Sequence, residues 1–378
     1  MLGLIIICML IAYKFRMYPD KSQIEKFEQH FGACRFVYNF ALEMKIKSYE
    51  TDGKSVSRFT LNKILPELKQ ENEWLKEVNS QSLQGATLHL DNAFTKFFRE
   101  KKGFPKFKSR KNPVQSFSVP QAYSVDFDRN YVKLPKIGYV KTTLHRRFNG
   151  DLKTATVSRN SAGKYFISIL VDDELEYPLP GAFDASNTIG LDVGIKDFVV
   201  TSEGNKYDNP KFLKNSEKRL KTLQRRFSRK KKGSSNFKKA KLQLAKQHEK
   251  VSNQRNDFQH KISFQIISEN QAIAVETLKV ENLLKNHKLA KSISDAGWSA
   301  FFEKLKYKAE RYGKTILQIG QFEPSTKICS NCGYYNSEMT LSVRDWVCPD
   351  CGMHHDRDIN AAINIKKFAL DRQNLIGI

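Results

Sequence analysis

The chain has 378 residues and carries 64 Lys and Arg against 40 Asp and Glu, a formal net charge of +24 near neutral pH, with 40% hydrophobic residues and 26 Phe. That much apolar material supplies a packed core and excludes a disordered basic tail; the length predicts two or three structural units at roughly 100–200 residues each. The basic excess attracts polyanions, which makes nucleic acid the first partner to consider and an anionic membrane the second.

The long apolar run at the start, Leu2 to Ala12, spans 11 residues, well short of the roughly 20 that cross a bilayer as a helix. No Lys or Arg precedes it and no small-residue cleavage site follows, so it does not read as a secretory signal. Translation beginning at Met9 would remove the first eight residues, Cys8 included, and intact mass of the natively expressed protein tests that start. The run leads into Tyr13, Phe15 and Met17 alternating with Lys14, Arg16 and Tyr18, which predicts an amphipathic strand ending at Pro19. Residues 1–19 are thus a leader and a first strand.

Residues 20–102 read as helices. Asp20 is a predicted N-cap with Gln23 completing a capping box, and Ile24, Phe27, Phe31, Cys34 and Val37 keep an apolar stripe of helical period. Leu83, Ala86, Leu90, Ala93, Phe94 and Phe97 form a second stripe, and the amides of Asn79, Gln81 and Gln84 nearby are of the kind that read base edges. From 103 to 180 short β-prone runs take over: Tyr131–Leu134, Gly138–Lys141, Thr154–Val157 and Lys164–Val171, the last two joined by a turn at Asn160–Gly163. They predict a small barrel or curled sheet that the opening strand joins. At its start, Phe104 and Phe107 interleave with Lys106 and Lys108; the aromatics either stack on unpaired bases while the lysines neutralise phosphates, or anchor a small core at a domain edge. Tyr177-Pro178-Leu179-Pro180-Gly181 reads as a linker.

A further domain is expected over 181–325. Its first strand, Ile189 to Val193, is apolar except for Asp192. A lone buried carboxylate is costly unless it is paired or binds a cation; the plainer reading is a turn residue ahead of Gly194. Residues 211–262 form a basic helical insertion broken at Gly233-Ser234-Ser235, and positions 211–250 hold 16 Lys and Arg against two acids, a net +14. Such a run cannot pair with itself, so Arg225, Arg226, Arg229, Lys230, Lys231 and Lys232 are predicted to contact phosphates. Glu276 ends the apolar strand Ala272–Val275, either as a ligand or as a solvated strand end. A helix over Ala300–Tyr312 and a strand over Thr315–Ile319 follow.

Cys329, Cys332, Cys348 and Cys351 have the spacing C-x2-C-x15-C-x2-C, which predicts a zinc ribbon over 326–353 whose four thiolates saturate a structural zinc ion. His354 and His355 are placed on the ribbon's edge, and the cysteine usage without a signal places the chain in a reducing cytoplasm. Asp358 opens a final helix within 354–378, as a helix-start acid or as a ligand. Asp192 and Glu276 on strands and Asp358 on a helix together fit a triad of hard oxygen donors for Mg²⁺ or Mn²⁺, with two ions the usual number in phosphodiester hydrolysis.

Gly190 to Lys196, Val275-Glu276, the two Cys-x-x-Cys-Gly knuckles and Asp356 to Ala362 follow one another in the order seen in TnpB, or OrfB, proteins of transposons. Tyr13 to Pro19, Cys34 to Asn39, Gly103-Phe104-Pro105 and Ser292 to Trp298 extend the resemblance over nearly the whole chain. The chain therefore resembles a family similar to the compact ancestors of type V CRISPR effectors. The resemblance implies an α/β RNase H-like nuclease domain of the RuvC type with the zinc ribbon inserted, and an N-terminal WED-like β-barrel carrying a REC-like helical domain. It implies catalytic roles for Asp192, Glu276 and Asp358, the last preferred over Asp356 because the family's acid stands two residues before Asn-Ala-Ala. It also implies a guide RNA from the transposon end and double-stranded target DNA beside a short motif, with the protein in the cytoplasm and on the nucleoid. The apolar leader before Tyr13 departs from the family pattern. A transposase acting directly on DNA ends, and a DNA-binding regulator with a vestigial site, are the competing readings.

Overall fold

The structure, a computed structural model, describes residues 8–373 with Leu341 excepted; residues 1–7, on which the alternative start turns, lie outside them. The chain divides into two compact units, Met1–Glu176 and Tyr177–Ile378.

In the first unit, β1 (Cys8–Tyr18) leads into α1 (Lys21–Asp52). Asp20 accepts from the Gln23 backbone N–H while the Gln23 side chain accepts from the Asp20 N–H, the reciprocal cap expected, and the helix stops at Gly53 with φ +65°. α2 (Arg58–Glu71), a 3-10 turn (Glu73–Glu77) and α3 (Ser80–Glu100) complete the helices. Six strands follow: β2 (Gln115–Val119), β3 (Ser124–Asp126), β4 (Tyr131–Leu134), β5 (Gly138–Thr143), β6 (Asp151–Arg159) and β7 (Tyr165–Glu176). β1 is threaded between β7 and β5 in a seven-stranded sheet of order β2-β6-β7-β1-β5-β4-β3. Its alternation puts Phe15 and Met17 inside. The hydrogen-bond ladder is open rather than barrel-closed, because β2 and the three-residue β3 are its ends among the described strands. Phe27, Phe31 and Leu42 of α1, Leu83 and Leu90 of α3, and Phe117, Ile167 and Ile169 of the sheet belong to one core. Helices and sheet here share a single apolar interior.

In the second unit, β8 (Thr188–Val193), β9 (Asp197–Thr201) and β10 (Lys206–Asp208) form an antiparallel meander. The hairpin of α4 (Phe212–Ser228) and α5 (Ser235–Glu269) follows, then β11 (Ala272–Glu276), α6 (Val280–Leu283), α7 (Ala290–Ala296), α8 (Trp298–Arg311), β12 (Thr315–Ile319), β13 (Asp345–Val347), β14 (His354–Asp356) and α9 (Arg357–Asp371). β11 lies parallel to both β8 and β12, giving the order β10-β9-β8-β11-β12. Both faces of this sheet are covered, so its strands are apolar throughout rather than alternating. Ile189, Leu191, Ile273 and Val275 pack with Ile262 and Ile266 of α5 and Phe301 and Leu305 of α8. Ala272 and Ala274 face the other way, onto Ile365 and Ala369 of α9.

Two glycines shape this unit. A Cβ at Gly190 would stand 2.1 Å from the Ala362 carbonyl oxygen and 2.9 Å from the Lys366 nitrogen, so α9 lies directly on the β8 backbone. Gly233, at φ +86°, turns the hairpin where the sequence breaks, and Ser234 then caps α5 by accepting from the Phe237 N–H. Among the described residues, no helix is long and apolar enough to cross a membrane.

Candidate metal centre and nucleic-acid surfaces

Period-two alternation in β8 and β11 decides where the acids go. Leu191 and Val275 are paired neighbours in parallel strands, so Asp192 and Glu276 come next, side by side, at the carboxyl ends of the two strands. Both belong to the sheet face that α9 covers, opposite in phase to Ile189, Leu191, Ile273 and Val275. α9 brings Asp358 there in its first turn. The three acids therefore gather although 84 and 82 residues separate them. The Asp192 carboxyl is held well above the ordinary carboxylate range, first by burial, then by the charges of Glu276 and Asp358, against the opposing pull of Arg357 and Arg344. Carboxylates are the donor type that a hard divalent cation such as Mg²⁺ or Mn²⁺ takes, and here two arginines already pair with one of them, Asp358. Among the described residues, the group whose ligand atoms all lie within 4.8 Å of one another is the four cysteines.

Asp356 and Asp358 have different work. Asp356 is the N-cap of α9: its Oδ1 accepts from the Asp358 and Ile359 backbone N–H groups, both at 3.0 Å, and its Oδ2 is paired with Lys206. Asp358 receives Arg344 at 2.8 Å on one oxygen and Arg357 at 2.8 and 3.0 Å on the other. Glu276 accepts a hydrogen bond from the Ser325 hydroxyl at 2.7 Å. Sequence reasoning missed Ser325, Arg344, Arg357 and Lys206.

The four cysteines converge, with their sulfurs all within 4.8 Å of one another. Cys329–Cys351 and Cys332–Cys348 stand at 3.7 and 3.6 Å, close to the about 3.8 Å that tetrahedral bonds of about 2.3 Å to zinc impose on sulfur. Gly333 and Gly352 follow the knuckles at φ +81° and +70°, the conformation that lets each loop turn back. His355 is not on the ribbon's edge. It is buried, its ring 4.8 Å from Trp346 and its Nε2 3.0 Å from Cys329 Sγ, because β14 pairs with β13 and turns this side chain inward while His354 stays exposed. The first knuckle is fastened to α9: Ser330 N–H donates to Asn360, and Asn360 and Asn364 donate to the Ile328 carbonyl. Asn360 and Asn364, four residues apart beside Ala361 and Ile365, were the readable sign of such a tether, since that spacing puts both amides on one helix face.

Arg225, Arg226, Arg229, Lys230, Lys231 and Lys232 are all exposed around the hairpin tip, which Phe227 and Phe237 close with ring centroids 4.7 Å apart. Among the described residues none of the six is in an ion pair with a carboxylate. At the hairpin base, the buried Asp295 accepts from the Leu213 and Lys214 N–H groups and from Arg255. In the first unit, Lys106 is exposed, but Lys108 folds its ammonium over the Tyr38 ring at 4.0 Å. Phe104 meets Phe94 and Phe97 edge-on at 5.6 and 5.4 Å, and both Phe104 and Phe107 remain exposed. Asn79 caps α3 at the Gln81 N–H, and its Nδ2 and the Gln81 Oε1 are buried without a partner; Gln84 is exposed.

Residues 169–287 match a family profile described as "Probable transposase", residues 298–365 one described as "Cas12f1-like, TNB domain", and residues 9–54 one described as "Helix-turn-helix domain". In the structure that last segment is β1 followed by α1, without an internal turn. The chain is 38% identical over 359 residues to the "Putative RNA-guided DNA endonuclease" of Streptomyces pristinaespiralis, covering 94% of this chain and 88% of that one. It is 32% identical over 373 residues to the "Putative RNA-guided DNA endonuclease InsQ" of Escherichia coli (strain K12), covering 94% and 91%. Its fold is similar to that in the cryo-EM structure of the Cas12f1–sgRNA–target DNA complex, with TM-score 0.58 and 17% identity over 91% of this chain and 82% of that one. The mini-RNA-guided endonuclease CRISPR-Cas_phi3 is similar at TM-score 0.52 and 9% identity, over 96% and 92%.

Fold and cysteine module together define a protein built like the compact Cas12 effectors. The sequence relatives narrow this further: the chain belongs to the TnpB, or OrfB, family.

Proposed function

We propose that this protein is an RNA-guided DNA endonuclease that hydrolyses phosphodiester bonds at Asp192, Glu276 and Asp358. The observation that carries the reading is the placement of Asp192 beside Glu276 at the ends of two paired parallel strands, with Asp358 in the first turn of the helix over that face. The order β10-β9-β8-β11-β12, an antiparallel meander of three strands followed by two parallel neighbours, supports an RNase H-like nuclease core of the RuvC type. Mg²⁺ or Mn²⁺ held by these carboxylates would supply Lewis-acid activation of water and stabilise the leaving oxygen. The chain's own part is positional. β8 and β11 present two carboxylates side by side, and α9, capped by Asp356, presents the third. Arg344 and Arg357 offset their charge.

The exposed cations of the α4–α5 tip would hold phosphate backbone without choosing sequence, leaving that choice to a guide RNA transcribed from the transposon end and paired to target DNA. The cysteine module would hold structural zinc. Such a protein would work in the cytoplasm on chromosomal DNA.

The test is to isolate the protein from its native locus, sequence the RNA bound to it, and supply a reprogrammed guide. A discrete RNA and cleavage that follows the new guide are expected. Cleavage of element ends without RNA would instead establish a transposase. Asp192→Ala is expected to abolish cutting while salt-sensitive nucleic-acid binding persists; a loss of binding would make Asp192 a structural residue.

A further inference from the structure

Ser325 stands in the loop between β12 and the first cysteine knuckle, 3% exposed. Serines in such loops usually bond to backbone one to three residues away. Ser325 does not: its hydroxyl donates to Glu276 Oε1 at 2.7 Å, across 49 residues of chain. Among the described residues no hydrogen bond engages Glu276 Oε2, so this contact fixes one oxygen and leaves the other available.

Ser325 is itself held in place. Its carbonyl accepts from Asn364 Nδ2 at 2.8 Å, and Asn364, 2% exposed, also donates to the Ile328 carbonyl at 2.6 Å. Ile328 directly precedes Cys329. Pro324, with its fixed φ, stiffens the approach from the other side. One continuous path of buried and partly buried hydrogen bonds thus runs from the cysteine knuckle through α9 to the carboxylate on β11. A carboxylate that ligates a cation gains affinity when an outer partner fixes its orientation, typically by 10–100-fold.

We infer that Ser325 is a positioning residue for Glu276, and that Asn364 extends this control to the cysteine module, so that the ribbon sets the geometry of the divalent-metal site. The inference rests on the reading of Asp192, Glu276 and Asp358 as that site. It assigns the ribbon a task within the nuclease centre, by way of a residue that touches neither the cation nor the substrate.

The experiment uses the full-length protein as isolated with its bound RNA. Mn²⁺ is titrated and the free ion followed by electron paramagnetic resonance, zinc is measured by elemental analysis, and the Mg²⁺ dependence of cleavage is recorded. Ser325→Ala and Ser325→Val are expected to weaken Mn²⁺ binding about 10–100-fold. They should raise the Mg²⁺ needed for half-maximal cleavage far more than they lower the rate at saturating Mg²⁺. Ser325→Thr, which keeps the hydroxyl and matches Val in shape, is expected to bind like the parent, and all three should retain zinc. Mn²⁺ affinity within twofold of the parent in both Ala and Val variants would overturn the inference. So would equal losses in Thr and Val, which would make packing the cause, or loss of zinc together with Mn²⁺, which would make Ser325 a folding residue. Asp192→Asn separates the two levels: if it too leaves Mn²⁺ binding unchanged, the metal-site reading falls and Ser325's role falls with it.

Discussion

Two lysines on α8, Lys304 and Lys308, carry charge into the interior with no ion-paired carboxylate among the described residues. Lys308 donates to the His260 carbonyl at 2.7 Å and the Ser263 hydroxyl at 2.8 Å, and Lys304 to the Asn256 and Gln259 side chains and the Ala300 carbonyl. Burial, and then the neighbouring Lys304, pushes the Lys308 ammonium down to about 8 from 10.5. Between those values the unfolded chain holds a proton that the folded chain has released, so stability rises with pH across this window and is lowest below it. Urea unfolding at pH 7 and at pH 10 is expected to show the greater stability at pH 10. Lys308→Met should raise stability at pH 7 and flatten the rise, since replacing a poorly matched buried charge with an apolar chain of similar length is commonly stabilising. A parent protein whose midpoint does not move between the two pH values would contradict the assignment. Nothing in the sequence separated Lys304 and Lys308 from the many solvated lysines around them; their burial depends on how α8 lies along α5.

At the scale of elements, the centre depends on how closely α9 approaches β8. Gly190→Ala would force a Cβ to within 2.1 Å of the Ala362 carbonyl oxygen, a backbone atom that no side-chain rearrangement relieves. Denaturant unfolding is expected to show a loss of about 3 kcal/mol. Cleavage should fall with it, because any retreat of the helix carries Asp358 away from Asp192. An unchanged midpoint would mean that α9 does not pack as described. Much of this layout was legible beforehand. Asp192 and Glu276 are single acids in apolar strands, which is why they stand out, and Asp358 precedes a helical stripe. What one dimension hid is register and reach. Gly190 looks like any glycine near a turn until the helix above it is in place, and Ser325 meets Glu276 only because the chain returns after 49 residues. The open edges of the first sheet were likewise unreadable, since alternation in β2 and β3 records which face is buried and not which strand lies beyond.

Over the whole molecule, the charge of +24 is strongly concentrated: residues 211–250 supply +14 of it. The structure places that segment on a hairpin whose tip is basic and exposed, and whose base is tied down by Asp295 and Arg255. Replacing Arg225, Arg226, Arg229, Lys230, Lys231 and Lys232 by Gln is expected to weaken binding to duplexes of any sequence. It should also reduce the slope of log affinity against log salt by up to about five, at roughly 0.9 for each phosphate no longer neutralised. An unchanged slope, measured by fluorescence anisotropy across a salt series, would show that this tip faces solvent instead of nucleic acid. Because the six residues lie away from the acids in sequence and on another element, Mn²⁺ binding serves as the control that should not move.

The seating of α9 on Gly190 also sets a schedule. Synthesis delivers the strands, the basic hairpin and two of the acids well before the helix that bears Asp358, and folding on the ribosome proceeds from the N-terminal side. A nascent chain stalled before residue 357 already carries the basic hairpin, yet it lacks both the third carboxylate and the helix that covers the sheet. On the proposed reading, the capacity to cut would arrive only when α9 has emerged and docked.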